Sequence, residues 1–332
     1  MLGSLSCSRR VEEPLSESRL TPSPTVLIPS SAPSAEPASL VEPTPLLTLP
    51  SSAYQASIFV DADAVEVLTH DAAYHLVPGR EPLRQALNLG FAATVTRQNY
   101  VYWSNGAIWS APRRAPTAGG PRRIQTLSHQ PQHIVSDIAG EALAWVDHSE
   151  EHRYSLGTAQ KQGETTLYTS PGSIDALTLI ADSVYFVERP DGASWRIGRA
   201  PLSGAAPSFT APKVGRWPAM LSGAQELVYC DGKSRDVLAL SLDLRHEHTL
   251  AKGLICSPLS ATQGVYCAAM NTVFEVPEAG KPRQLVASSN LITGLSGNAE
   301  RLAFIVDVGR SGQDQLAVKM LPLTPNASAA PR

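Results

Sequence analysis

Between Tyr54 and Leu323 the apolar positions alternate with polar ones in short runs bounded by Gly, Pro, Asn and Asp. That is the period-two signature of strands separated by turns, not the three-to-four spacing of a helix. The clearest runs carry an aromatic or a large aliphatic centre. They are Tyr100-Val101-Tyr102-Trp103, Leu143-Ala144-Trp145-Val146, Val184-Tyr185-Phe186-Val187, Leu227-Val228-Tyr229-Cys230, Gly264-Val265-Tyr266-Cys267 and Leu302-Ala303-Phe304-Ile305. With Tyr102, Ala144, Tyr185, Tyr229, Tyr266 and Ala303 as equivalents, the spacings are 42, 41, 44, 37 and 37 residues.

One unit predicts the elements of all. Gly90 to Val95 reads as a short strand of mostly small residues, and Tyr100 to Trp103 as a central strand. Asn105-Gly106 is a strong hairpin signal and leads into Ile108 to Ala111. Gly119-Gly120-Pro121 then turns the chain into Arg122 to Leu127, whose charge fits an exposed edge. The same Gly/Pro turn recurs in phase at Pro78-Gly79, at Pro201 to Gly204 and at Pro277 to Gly280.

Four strands every forty-odd residues is the period of a β-propeller blade. The expected fold is therefore all-β, a ring of four-stranded antiparallel blades. Seven units are counted: 54–87, 88–127, 128–171, 172–212, 213–254, 255–289 and 290–323, with six blades as the alternative. The last unit lacks an outer strand. Thr44-Pro45-Leu46-Leu47-Thr48-Leu49 stands ahead of the first unit, so Leu46–Leu49 is expected to pair beside Leu316–Met320 and close the ring.

Tyr102-Trp103-Ser104-Asn105 resembles the Tyr-Trp-Thr-Asp repeat of receptor-type propellers, and Ala144 to Asp147, Tyr185 to Glu188 and Phe304 to Asp307 are weaker versions. The Gly-Gly-Pro turns resemble those of TolB-like bacterial propellers. The resemblance implies fold alone, and those families usually have six blades.

Residues 1–43 are different material. From Glu13 to Pro50 the chain is rich in Pro, Ser, Thr, Ala and Glu, and it has no aromatic residue. Such a segment reads as a disordered tether, and 324–332 as a disordered tail. Leu2-Gly3-Ser4-Leu5-Ser6-Cys7 resembles the cleavage region of a bacterial lipoprotein signal. Cys7 is then the expected lipidation site, and the protein belongs outside the cytoplasm, in the cell envelope or secreted. An incidental cysteine is the alternative. The net charge of −3 gives no footprint for nucleic acid. Arg113-Arg114 and Arg122-Arg123 read as charges flanking one turn.

Candidate chemistry is sparse. His148-Ser149-Glu150-Glu151-His152 matches the H-x-x-E-H pattern of zinc proteases, yet it falls between two strands where no helix can set the spacing. A looser ligand site is expected on the loop face from His129, His133, Asp147, His148 and His152, with Asp231 and Asp236 from a neighbouring loop and Glu188 beside them. The predicted inner strands bring almost no carboxylates to the channel wall, unlike calcium-holding lactonase propellers. No cofactor or metal is expected. Trp109, Trp195 and Trp217 are read as packing between blades.

Cys256 and Cys267 fall on the inner and aromatic strands of the sixth unit, on either side of a turn near Ser260–Gln263. Antiparallel pairing would set them face to face as a disulfide, leaving Cys230 a free thiol. The leading reading is a monomeric, non-catalytic propeller that binds or scaffolds a protein or glycan. The alternative is a propeller hydrolase or lactonase with loop-tip ligands.

Overall fold

The computed structural model describes residues 42–50, 56–90, 92–114, 120–127, 131–137, 139–148, 154–160, 163–218, 221–261, 264–309 and 315–323. Seven antiparallel sheets follow one another around a channel, and each is a meander. In blade 1 the strands run Ser57–Val60, Val65–Leu68, Ala72–Leu76 and Leu83–Ala86, from the channel outward. Blades 2 to 6 repeat the order, with inner strands Ala93–Val95, His133–Ser136, Ser173–Ile180, Ser222–Gly223 and Leu259–Ser260. The seven blades agree with the unit count, and every aromatic run is a second strand, sandwiched between neighbouring blades.

Blade 7 is built from both ends of the chain. Ile292–Gly297, Arg301–Asp307 and Gln315–Pro322 supply three strands, and Thr44–Pro50 is the fourth. Leu49 lies opposite Leu316, Thr48 opposite Ala317 and Leu47 opposite Val318, as the closure argument requires. Leu49 is fully buried with Ile58, Val65, Val67, Ile305 and Val318, so one core cluster joins the first blade to the last.

Local chemistry explains the elements. Asn105 and Gly106 both take positive φ, 49° and 76°, the double left-handed turn that matches strand twist in a two-residue hairpin. Outer strands such as Arg122–Thr126 and Leu83–Ala86 are largely exposed and charged, which discourages edge-to-edge association. Trp195 is fully buried and meets Tyr229 of the next blade edge-on. Trp109 and Trp217 are partly buried against the cores between blades 1 and 2 and blades 4 and 5.

Cys256 and Cys267 form the expected disulfide, with Cα atoms 5.2 Å apart. Its geometry differs from the expectation. Leu259, not Cys256, lies opposite Cys267, and Cys256 precedes the inner strand. Ala268 accepts from the Ser257 N–H and donates to the Pro258 carbonyl, so two residues oppose one. This bulge shifts the hairpin register and brings Cys256 alongside its partner. Cys230 is free and partly buried, and its sulfur accepts the Cys256 N–H at 3.2 Å.

Candidate functional site at the channel mouth

Because each blade is a meander, its turns sort onto two faces. Turns from inner to second strand gather on one, called here the inner-turn face. Turns from second to third strand share the other with the blade-to-blade connections, the connection face.

A cavity of about 680 Å³ opens at the inner-turn face. Its wall comes from the ends of inner strands: Val60, Thr94, Val95, Val135, Ser136, Thr178, Leu179, Ser222 and Ser296. Phe59 adds an aromatic surface, and Asp61, Arg97 and Asp137 add charge just past the strand ends. The strands themselves bring hydroxyl and aliphatic groups. The carboxylates Asp61 and Asp137 enter only through the turns, which is why a reading of strand composition missed them.

Two hydroxyls in this wall, and a third on the inner strand of blade 6, also hold the ring together. Ser222 Oγ accepts the Ala261 N–H of the next blade at 2.9 Å, and Ser296 Oγ accepts the Val60 N–H of the first blade at 3.0 Å. Ser260 Oγ makes the equivalent bond to Gly297 N–H at 3.2 Å.

One side of the cavity rests on a buried ionic cluster. Glu66, a lone charge in the otherwise apolar second strand Val65–Leu68, is fully buried. Arg113 binds it through Nε at 3.1 Å and through a shorter Nη2 contact. The Tyr100 hydroxyl donates to Glu66 at 2.7 Å, and His75 Nδ1 lies 2.6 Å away. Arg113 Nη1 also donates to Asp61 at 2.9 Å and to the Thr96 carbonyl at 2.8 Å. Arg113 flanks the turn as expected, but its side chain is only 1% exposed, because its five hydrogen bonds go to the Glu66 and Asp61 carboxylates and the Thr96 and Arg97 carbonyls. Arg114 alone is exposed and pairs with Asp63.

The cluster polarises its members. Burial pulls the Arg113 guanidinium down, but the bonds and charge of Glu66 and Asp61 outweigh it, and the net shift is upward. Burial raises Asp61, yet the Ala62 N–H and the Arg113 charge bring its carboxyl below the usual range. Tyr100 is lifted well above ordinary phenols, first by burial and then by the neighbouring Glu66 charge.

The residues expected at the loop face lie on the connection face, away from this cavity. Asp147 and His148 end the second strand of blade 3, with His148 stacked on Tyr154 at 4.5 Å. His133 sits opposite Val146 at the start of the adjoining inner strand. Asp231 and Asp236 belong to a loop two blades on, where they cap turns: Asp231 accepts the Lys233 N–H and Asp236 the Gly253 N–H. Glu188 is not a loop-tip charge. It is fully buried, bound by Tyr168, Ser170 and Arg196, because the chain places it inside the seam between blades 3 and 4. His129, His152 and Cys7 lie outside the described residues. Among the described residues no group of three or more His, Cys, Asp or Glu is placed to hold a metal ion.

No protein-family model matches the chain, and no curated protein matches its sequence. Solved structures do match. A chain from a nidogen/laminin complex is 14% identical over 66% of this chain and 88% of its own length, with a TM-score of 0.45. The WD40 β-propeller domain of Doa1 is 9% identical over 84% of this chain and 97% of its own, with a TM-score of 0.57. At that identity the Doa1 likeness speaks to fold alone, and it establishes the chain as a β-propeller.

Proposed function

We propose that this protein is a non-catalytic propeller that works outside the cytoplasm and receives a protein or glycan ligand at its inner-turn mouth. The cavity carries the reading. It joins an aromatic surface at Phe59, hydroxyls at Thr94, Ser136 and Thr178, and charges of both signs at Arg97, Asp61 and Asp137. Such a mixture suits a hydroxylated or peptidic ligand, whose polar groups need both donors and acceptors and whose apolar faces need a stacking surface. The ionic cluster beneath the mouth fixes Asp61 through Arg113, so part of the recognition surface is preorganised. The Cys256–Cys267 disulfide supports an oxidising compartment.

Arraying glycans and peptides against the purified protein tests the reading. Arg97→Ala with Asp137→Asn should abolish capture of a ligand that the unaltered protein retains, at an unchanged melting temperature. Retention by the double variant would place binding elsewhere. Mass spectrometry of the captured ligand should show it chemically intact; cleavage would replace the binding reading with the hydrolase reading.

A further inference from the structure

We propose that the connection face rests on an anionic membrane surface, through apolar side-chain tips that enter the headgroup region beside a basic knob on blade 5. This stands apart from the ligand mouth, which opens on the other face.

The first observation is where large apolar side chains are left in solvent. Six are exposed among the described residues. Leu83 and Ile124 lie on outer strands. The other four share the connection face of blades 4 to 7: Val214 at 69% exposure, Ile255 at 49%, Met270 at 74% and Leu291 at 49%. Met270 and Leu291 are neighbours, because Ile292 N–H bonds the Met270 carbonyl. Val214 continues the outer edge of blade 4 beside Ser194, and Ile255 precedes the blade 6 inner strand.

The second observation is charge. Arg216, Lys233, Arg235 and Lys252 are exposed on the same face, and none forms a salt bridge among the described residues. They are gathered by backbone contact. A Cβ on Gly232 would lie 2.6 Å from Arg216 Cβ, so the turn bearing Lys233 and the connection bearing Arg216 meet as closely as a glycine allows. Asp236 binds Gly253 N–H and draws Lys252 to the same knob. Asp231 and Asp236 are the knob's carboxylates, and both accept bonds from this loop system. Four cations against two carboxylates leave a local positive excess on a chain whose net charge is −3.

Val214 stands on a short edge strand, Ile255 in the connection into blade 6, and Met270 and Leu291 side by side at the blade 6–7 junction, while the cations gather on blade 5, so the apolar groups are spread across the face. A soft surface can receive each tip independently, with phosphates meeting the cations and the headgroup region taking the aliphatic ends. A rigid protein partner would have to present a matching pit for each tip. The geometry therefore favours lipid.

Sedimentation of the full chain with phosphatidylglycerol–phosphatidylcholine vesicles, against phosphatidylcholine alone, is the test. Binding should require the anionic lipid and weaken with salt. Lys233→Gln with Arg235→Gln should lower affinity roughly 25-fold, at about fivefold per cation. Ile255→Ser with Met270→Ser should lower it by roughly tenfold or more. In a Met270→Trp variant, brominated phospholipid should quench the new fluorescence. All these positions are exposed, and matching melting temperatures exclude misfolding. Three results would overturn the proposal: no preference for anionic vesicles, binding unchanged by the serine variant, or an unquenched Met270→Trp. Loss of a captured protein in the serine variant while vesicle binding persists would assign the tips to a protein partner instead.

Discussion

Three successive seams of the ring are joined by serine hydroxyls, and three of the other four by carboxylates. Between blades 5 and 6, 6 and 7, and 7 and 1, Ser222, Ser260 and Ser296 each accept a backbone N–H from the next inner strand. In blades 2 to 4 the residues opposite Tyr102, Ala144 and Tyr185 are Ala93, Val135 and Thr178, and among the described residues no inner-strand side chain of blades 1 to 4 accepts such a bond. There the seams are held further out. Glu66 joins blades 1 and 2, Glu188 joins blades 3 and 4, and Glu247 with Lys213 and Tyr229 joins blades 4 and 5. A neutral stitch is cheap to make and modest in worth, about 1 kcal/mol net. A buried ion pair contributes little over an apolar substitute but costs much when half of it is removed. The two halves of the ring should therefore fail in different ways.

The largest effect is expected where the neutral half depends on the chain's two ends meeting. Removing residues 1–50 deletes the strand bearing Leu49 and opens the seam between blades 7 and 1, whereas removing 1–40 leaves that strand in place. The longer deletion should abolish cooperative thermal unfolding, and the shorter should leave the melting temperature unchanged. Equal melting temperatures would show that the ring does not need its closing strand.

The next effect separates the two kinds of seam directly. Arg113→Ala strands the Glu66 carboxylate in a fully buried site and should cost about 3–5 kcal/mol. Ser296→Ala removes one neutral acceptor and should cost about 1 kcal/mol. Arg113→Met with Glu66→Gln should recover much of the loss, because the stranded charge goes with its partner. Urea unfolding of the three variants checks the order. Comparable losses for Arg113→Ala and Ser296→Ala would erase the distinction between the halves.

This difference also marks what the sequence could show. The aromatic second strands, the in-phase Gly/Pro turns and the closing Thr44–Pro50 strand are local patterns, and local patterns survive in a single chain. The partners of Glu66 are not local. Arg113 is 47 residues away, and nothing in Arg113-Arg114 tells a buried guanidinium from an exposed one. A charge inside an apolar run, as in Val65-Glu66-Val67 or Phe186-Val187-Glu188, was the available sign that a carboxylate must be met by a partner. The channel mouth is assembled from turns of several blades, each contributing a residue or two, so no single stretch carried its signature. The disulfide was legible because both cysteines fall in one blade, but the bulge at Ser257-Pro258 that sets its register was not.

The smallest effect is a pH dependence confined to the carboxylate half. His133 lies near Asp175 of the next blade; burial pushes its imidazole below the ordinary value, and the Asp175 charge recovers only part of the shift. An unfolded chain binds the histidine proton as pH falls through about 6.5, while the folded chain still resists it. The stability His133 lends is therefore complete above that pH, declines below it, and levels off once pH passes the depressed folded value. Asp61, held below the usual carboxylate range, titrates further down and does not obscure this window. Urea midpoints for the unaltered protein should fall between about pH 7.5 and pH 5.5, and His133→Gln should flatten part of that slope. Ser260→Ala, in the neutral half, should lower the midpoint by the same amount at both pH values. If His133→Gln keeps the full slope, the pH response arises elsewhere in the ring. If Ser260→Ala steepens it, the serine-stitched seams are not independent of charge.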